Sequence, residues 1–302
     1  MKILILILAI LSFNCNADQY TKNINVIVSL GAGSIVDTTC RKIFEIYDQL
    51  NNTNTVITNM AGADHMVAHK HFITLTEPSI LCAGTSVGGL NQFKNPTISP
   101  ATDTLKPVIN LFSSTFLILA PVTGAGSVEE LISNSKRTGK SILVGAPTTN
   151  TAAAFTYILD KTNSNYEVVV FRKPSDAVAA LREGAIDVYV DGGSLNQLID
   201  TAKAKEIAHI MAGASRNESV NLRNKYTEID PLMTKIMLHV KSDVPDSEIA
   251  ILNARVNSAM NSTQFKSYAK DRMSIHTITN GTVKQAEQTL LNLRNYLKNV
   301  RN

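Results

Sequence analysis

The feature that most restricts the fold of this chain is an alternation of short apolar runs with longer stretches of helical period, sustained from residue 24 to residue 190. Apolar runs at 24–30, 55–59 and 79–83 have strand length, and segments at 37–50 and 66–74 repeat their apolar residues at helical spacing. This ordering predicts an α/β protein with a parallel sheet covered by helices on both faces. A further apolar strand at 115–120 leads to Pro121, beyond which the alternation starts again. Helices are predicted at 128–136, 151–161 and 176–183, and strands at 141–145, 166–171 and 186–190. A last strand at 235–240 is followed by Pro245 and by three amphipathic helices at 246–260, 264–270 and 282–297.

Two alternating blocks in a chain of 302 residues read as two domains. The simplest arrangement is discontinuous: residues 18–121 and 235–302 form the first domain, and residues 122–234 the second. Two segments would then join the domains, near Pro121 and near Lys235, and such a double crossing makes a hinge above a cleft.

The opening residues bear on location. Lys2 precedes an apolar run at 3–11 and a short polar stretch ending Cys15-Asn16-Ala17, the layout of a secretory signal peptide comprising residues 1–17. The run is about half the roughly 20 residues that a helix needs to cross a bilayer, and no later segment is long and uncharged enough. Export to the periplasm is the expectation. Phe13 and Asn14 are larger than the residues that precede a lipid-modified cysteine, so cleavage after Ala17 is preferred to lipidation at Cys15. Cys40 and Cys82 then remain, and the sequence leaves open whether they pair or stay as buried thiols. With 29 Lys and Arg against 25 Asp and Glu, scattered along the chain, the net charge of +4 gives no basic footprint for a nucleic acid.

Two strand-to-helix turns stand out as binding loops. The first, Ser29-Leu-Gly-Ala-Gly-Ser34, joins a strand to a helix start. Its glycines let a backbone approach a ligand, and the unpaired N–H groups and dipole at the start of a helix favour an anion such as a carboxylate. The third glycine of a dinucleotide fingerprint is missing, and the 55–59 strand carries no acidic residue for a ribose. The second turn carries Thr148, Thr149, Asn150 and Thr151 and likewise runs from a strand into a helix. In open α/β sheets ligands lie beyond the carboxyl ends of the strands, so two such loops on two hinged domains would face one cleft.

Other motifs compete. Gly84-Thr85-Ser86-Val87-Gly88 follows a strand and matches the nucleophile elbow of serine hydrolases, with Asp187 or Asp191 and His209, His239 or His276 as candidate partners. Pro96 and Pro100 follow closely where an elbow needs a helix, so Thr85 and Ser86 are read as ligand-facing and no catalytic residue is assigned. His65 and His69 are one helical turn apart beside Asp64, a spacing shared with solvated helix faces, and no metal or cofactor is assigned to them. Arg172 and Lys173 could neutralise an anion or form a solvated loop pair.

At these loops the chain resembles the periplasmic receptors of tripartite tricarboxylate transporters, the Bug family. Ser29-Leu-Gly-Ala-Gly-Ser-Ile-Val-Asp37 with Arg41 stands where that family has a Pro-Phe turn, a Gly-Gly-x-x-Asp helix start and an arginine. Asn59-Met-Ala-Gly-Ala-Asp-His65 stands where it has Asn-x-x-Gly-Ala-Gly-Gly. Ser127-Val-Glu-Glu-Leu-Ile132 and Ala179-Ala-Leu-Arg-Glu-Gly-Ala-Ile-Asp187 are similar to two motifs of its second half. The chain departs from the pattern in lacking the Pro-Phe pair, in placing Asp64 and His65 on the glycine positions, and in reading Phe171-Arg172-Lys173-Pro174 for Tyr-Lys-Gly-Ser. It also has a shorter 221–235 stretch without the acidic-proline motif.

The resemblance implies a two-domain periplasmic-binding-protein fold of the Venus-flytrap type, acting as a monomeric, non-enzymatic receptor without cofactor. It would pass a small carboxylate to integral-membrane permease subunits. The implied pocket comprises Ser29, Gly31, Ala32, Gly33, Ser34, Thr85, Ser86, Ser114, Thr148, Thr149, Asn150, Thr151 and Asp191. A sensor of the same fold feeding a signalling partner, and a hydrolase using Ser86, are the alternatives.

Overall fold

The computed structural model describes residues 23–88, 90–91, 96–97, 99–171, 173–192, 204–211, 220–273 and 276–301. The expected signal peptide, Cys15 and Arg172 lie outside the described residues. Among the described residues eleven strands fall into two sheets. In the first domain they are β1 (Asn23–Val28), β2 (Asn54–Asn59), β3 (Ser79–Gly84), β4 (Leu105–Ser113), β10 (Lys235–Lys241) and β11 (Thr277–Ile278), in the order β11-β4-β10-β3-β1-β2. The second sheet has the order β7-β6-β8-β5-β9, from β5 (Phe116–Pro121), β6 (Ile142–Ala146), β7 (Tyr166–Val170), β8 (Val188–Asp191) and β9 (Ala204–Ile210).

The helices are α1 (Ile35–Asn51), α2 (Met66–Phe72), α3 (Val128–Thr138), α4 (Thr149–Lys161), α5 (Pro174–Arg182), α6 (Leu222–Lys225), α7 (Asp246–Asn261), α8 (Thr263–Arg272) and α9 (Val283–Arg301). No described helix is long and apolar enough to cross a membrane.

Local chemistry sets the helix starts. Ser34, Ser127 and Thr148 adopt extended backbone, and each side-chain oxygen accepts an N–H of the first turn, from Asp37, Glu130 and Thr151 respectively. Gly139 closes α3 in the left-handed conformation, φ 68°, where a side chain would be strained. Burial then fixes which face turns inward. Along α1 the buried residues Val36, Cys40, Ile43, Phe44 and Tyr47 recur at three- and four-residue spacing. They join β1, β3 and α7 in the core of the first domain. Each fully buried large apolar side chain contributes about 1.5–3 kcal/mol.

Both sheets are mixed rather than parallel throughout. β1, β2 and β3 run parallel, as do β6, β7 and β8, while β10 is antiparallel to β3 and β4, and β5 is antiparallel to β8 and β9. The antiparallel strands are those that lead into and out of the crossings between domains. The first crossing is at Ser114–Thr115, not near Pro121, because residues 116–121 already pair with β8 and β9 in the second sheet. Pro121 ends that strand and is followed by a turn, Gly124 N–H donating to the Pro121 carbonyl. The return passes through Met233 and Thr234 into β10. The two crossings lie side by side, with Ser114 N–H donating to the Thr234 carbonyl at 2.9 Å.

His276 braces this junction. Its Nδ1 accepts the Thr115 N–H at 3.1 Å, and its ring lies 5.3 Å from that of Phe112. Gly192 allows the end of β8 to pass the crossing, since a Cβ there would come within 2.9 Å of the Thr115 carbonyl oxygen. The two cysteines left open by the sequence form a disulfide, joining α1 to β3 across a sequence separation of 42.

Candidate functional site

The register of the parallel strands brings three loops of the first domain to one edge. Val28 at the end of β1 pairs with Asn59 of β2 and with Cys82 of β3, so the 29–34, 60–65 and 85–91 loops leave the sheet side by side. In the second domain β6 and β8 present Thr148 and Asp191 at the corresponding carboxyl edge.

The first loop is held from beneath and open above. Asp37, buried in the first turn of α1, accepts hydrogen bonds from Gly33 N–H (2.8 Å), Arg41 Nε (2.8 Å) and Asn59 Nδ2 (2.9 Å). Asn59 Nδ2 also donates to the Leu30 carbonyl at 3.0 Å. The Asp and Arg positions picked out by family resemblance thus shape the turn. Gly31, Ala32 and Gly33 remain exposed, and a Cβ at either glycine would meet nothing within 4 Å. Gly33 has φ 81° and so needs to be glycine, while Gly31 does not. Ser34 caps its own helix, and Ser29 is fully buried, its Oγ donating to the Cys82 carbonyl at 3.1 Å.

The second loop is strained. Gly62, Ala63, Asp64 and His65 have φ values of 136°, 45°, 52° and 74°. L-residues in the left-handed region cost about 1–2 kcal/mol each, so three in a row persist only where surrounding contacts hold them. Those contacts are visible. Asn91 Nδ2 donates to the Asp64 carbonyl at 2.6 Å, and His65 Nδ1 lies 2.8 Å from Ser29 Oγ. Burial lowers the His65 pKa from its usual range, although the Asp64 carboxylate and the bond to Ser29 oppose the shift. His69 points elsewhere, its Nε2 lying 3.1 Å from Thr104 Oγ1.

The second domain meets these loops through the first turn of α4. Thr149 Oγ1 donates to Asp64 Oδ2 at 2.5 Å, and Asn150 Nδ2 donates to Asn91 Oδ1 at 2.8 Å. Thr148 Oγ1 accepts from Thr151 N–H and lies 3.0 Å from Thr151 Oγ1, fixing the turn that carries both donors. Of the expected pocket residues, the structure therefore brings Thr149 and Asn150 onto the first domain. Asp191 sits at the end of β8, its Oδ2 accepting from Tyr189 Oη at 2.8 Å. Burial and the Asp191 carboxylate push the Tyr189 phenol up. Ser114 lies in the crossing itself. Asp64 and Asn91 were not expected at the interface. Asp64 carried one signal, a charged residue where the resembled family has glycine, and Asn91 carried none.

Thr85 and Ser86 begin a 3₁₀ turn pinned by the C-terminal helix, with Arg294 Nε donating to the Gly88 carbonyl at 2.8 Å. Thr85 Oγ1 accepts from Lys235 N–H. Ser86 Oγ is buried and has no hydrogen-bond partner among the described residues. The proposed hydrolase partners lie elsewhere: Asp187 accepts from Leu143 N–H, His209 pairs with Glu206, and His276 braces the crossing. A serine nucleophile needs a base within hydrogen-bond reach, and none is bonded to Ser86.

The sequence matches no protein-family model and no curated protein. Solved structures do resemble it. An adipate-bound protein of Rhodopseudomonas palustris aligns with a TM-score of 0.80 at 14% identity, covering 94% of this chain and 97% of the other. MatC of the same organism, with bound malate, aligns with a TM-score of 0.73 at 16% identity, covering 92% and 99%. The periplasmic binding protein BugD aligns with a TM-score of 0.74 at 14% identity, covering 92% and 97%. With two mixed sheets, two adjacent crossings and these likenesses, the chain has the two-domain periplasmic-binding-protein fold seen in the Bug-type receptors.

Proposed function

We propose that the chain is an extracytoplasmic solute-binding receptor that captures a small carboxylate between its domains and delivers it to permease subunits of a tripartite tricarboxylate-type transporter. After export by its N-terminal signal it would work in the periplasm as a monomer, closing about the paired crossings without covalent chemistry. The observation that carries this reading is the meeting of the two carboxyl edges. The first turn of α4 bonds across to Asp64 and Asn91, beside the open Gly31-Ala32-Gly33 turn. The N–H groups of such turns suit an anion. Malate and adipate in the similar structures belong to the same chemical class.

Gly31 and Ala32 would offer backbone N–H groups, Gly33, whose own N–H is held by Asp37, would shape the turn, Thr85 and Ser86 would offer hydroxyls, and Thr148, Thr149, Asn150 and Thr151 the facing helix start. Ser29 and Ser34 would support the first loop, and Ser114 and Asp191 would border the pocket near the crossing. A thermal-shift screen of mono-, di- and tricarboxylates and amino acids tests the proposal. At a hundredfold excess over Kd a ligand stabilises by about 2.7 kcal/mol. For domains of this size that corresponds to a rise of roughly 5–10 °C in Tm. Absence of any shift across the panel at millimolar concentration would overturn it.

A further inference from the structure

Resting on that reading, we propose that Arg294 is a positioning residue for ligand capture: it holds the 88–102 stretch of the first domain so that Asn91 meets Asn150 when the domains close. Arg294 stands on α9, outside the expected pocket. Its Nε donates to the Gly88 carbonyl at 2.8 Å and its Nη2 to the Thr102 carbonyl at 3.2 Å. One planar guanidinium thus ties the two ends of the stretch together. A lysine, with a single nitrogen and no fork, does not reproduce that geometry. The arrangement is costly, because the side chain is half-buried and both bonds go to uncharged carbonyls rather than to a carboxylate. Burial lowers the Arg294 pKa, against the pull of nearby Asp103. The charge-assisted bonds to Gly88 and Thr102 offset that cost, so it is the stretch they hold that this cation serves.

That stretch carries one of the first domain's contacts with the second. Asn91 is buried, donates from Nδ2 to the Asp64 carbonyl at 2.6 Å and accepts on Oδ1 from Asn150 at 2.8 Å. Ser99 Oγ donates to the Asn91 carbonyl at 2.9 Å. Beside it Leu90 packs with Leu293 and Leu297 of α9. A Cβ on Gly88 would lie 2.5 Å from a methyl of Leu290, so glycine is what lets α9 approach closely enough for the Arg294 bond. Leu290, Leu293, Arg294 and Leu297 follow one another at three- and four-residue spacing, which puts them on one face of the helix. This face supports both Gly88 and Leu90. Loss of Arg294 removes no group of the proposed pocket, yet it frees the stretch that presents Asn91 to Asn150.

The test is titration calorimetry of malate and of adipate on the full chain. Arg294→Gln is expected to bind the more tightly held acid at least about fivefold more weakly with its circular dichroism unchanged, and Arg294→Lys to lie between it and the wild type. Asn91→Ala should show a similar loss. Adding Arg294→Gln to Asn91→Ala should then cost less than about a further twofold, because both act through one contact, whereas a general loosening of the fold would multiply the two losses. Multiplied losses, or wild-type affinity in Arg294→Gln, overturn the inference and leave the receptor reading standing. If Arg294→Gln does not fold, Arg294→Lys with Asn91→Ala completes the same cycle. Binding of neither acid by the wild type counts against the receptor reading alone, and hydrogen exchange then decides the inference. The first turn of α4, in the other domain, should exchange at least about threefold faster in Arg294→Gln, in Asn91→Ala and in the double variant alike. An unchanged rate there in Arg294→Gln overturns it.

Discussion

Between pH 6.5 and pH 5 the folded chain is expected to lose about 5 kcal/mol of stability in all, because three buried histidines are held neutral. His239 is fully buried in β10, His69 is 1% exposed in α2, and His276 is 9% exposed at the crossing. Burial lowers the pKa of His239 to about 3, aided by nearby His69 and Arg294, and those of His69 and His276 to about 4. The unfolded chain takes up protons on these groups at about pH 6.5. Above that pH neither state is protonated and the histidines exert no pH dependence. As the pH falls below it only the unfolded state gains protons, so unfolding is favoured by about 1.4 kcal/mol per group per pH unit until the folded pKa is reached.

His65 shifts in the same direction and adds to the effect. Carboxylates titrate mainly below this window, which keeps its reading simple. Urea unfolding followed by circular dichroism at pH 7, 6 and 5 measures the slope. His276→Gln should remove roughly a quarter to a third of it. A stability that stays flat from pH 6.5 to pH 5 would contradict the burial of these rings.

Removing the Cys40–Cys82 bridge is expected to destabilise the first domain by about 4 kcal/mol, the chain-entropy value for a closed loop of 42 residues. Both sulfurs sit in the fully buried core, so substitution of the pair by alanine is the cleaner experiment, and a reductant should act only when the domain opens. The bridge ties the helix that begins after Gly31-Ala32-Gly33 to the strand that ends before Thr85 and Ser86. Its loss should therefore loosen two of the three loops at the carboxyl edge, and ligand affinity should fall with stability. Thermal unfolding of the double alanine variant is expected at a Tm roughly 10 °C lower. A change of less than about 2 °C would show that the bridge adds nothing to the fold.

Much of the architecture was legible where one local rule acted alone. The short apolar run read as a strand at 79–83 is the buried strand Ser79–Gly84, and the helix expected at 128–136 is Val128–Thr138, while the helix expected at 151–161 begins two residues earlier, at Thr149, because Thr148 caps it. Strands β4 and β9 escaped notice because Lys106-Pro107 interrupts the first and Lys205-Glu206 the second. Both are stabilised by pairing with distant strands, which the local pattern does not record. The crossing was misplaced for a related reason: Pro121 marks where a strand ends, not which sheet it joins.

At the site, glycine and hydroxyl runs after strands pointed to the right loops. The bonds that bring the domains together did not show. Asp64 meets Thr149 across 85 residues of sequence and Asn91 meets Asn150 across 59, and only the folded chain creates either pairing.

The central claim is that a small acid is held from both domains at once, and titration calorimetry of two variants tests it most directly. Gly31→Asp adds a carboxylate to the open turn of the first domain, where the side chain meets no neighbour and no strained backbone. Asn150→Ala removes a donor from the facing helix start of the second. With the acid that gives the largest thermal shift, the wild type should bind one molecule per chain with a negative heat-capacity change, and each variant should bind at least tenfold more weakly while keeping its circular dichroism. Wild-type affinity in either variant would contradict a site shared between the two domains.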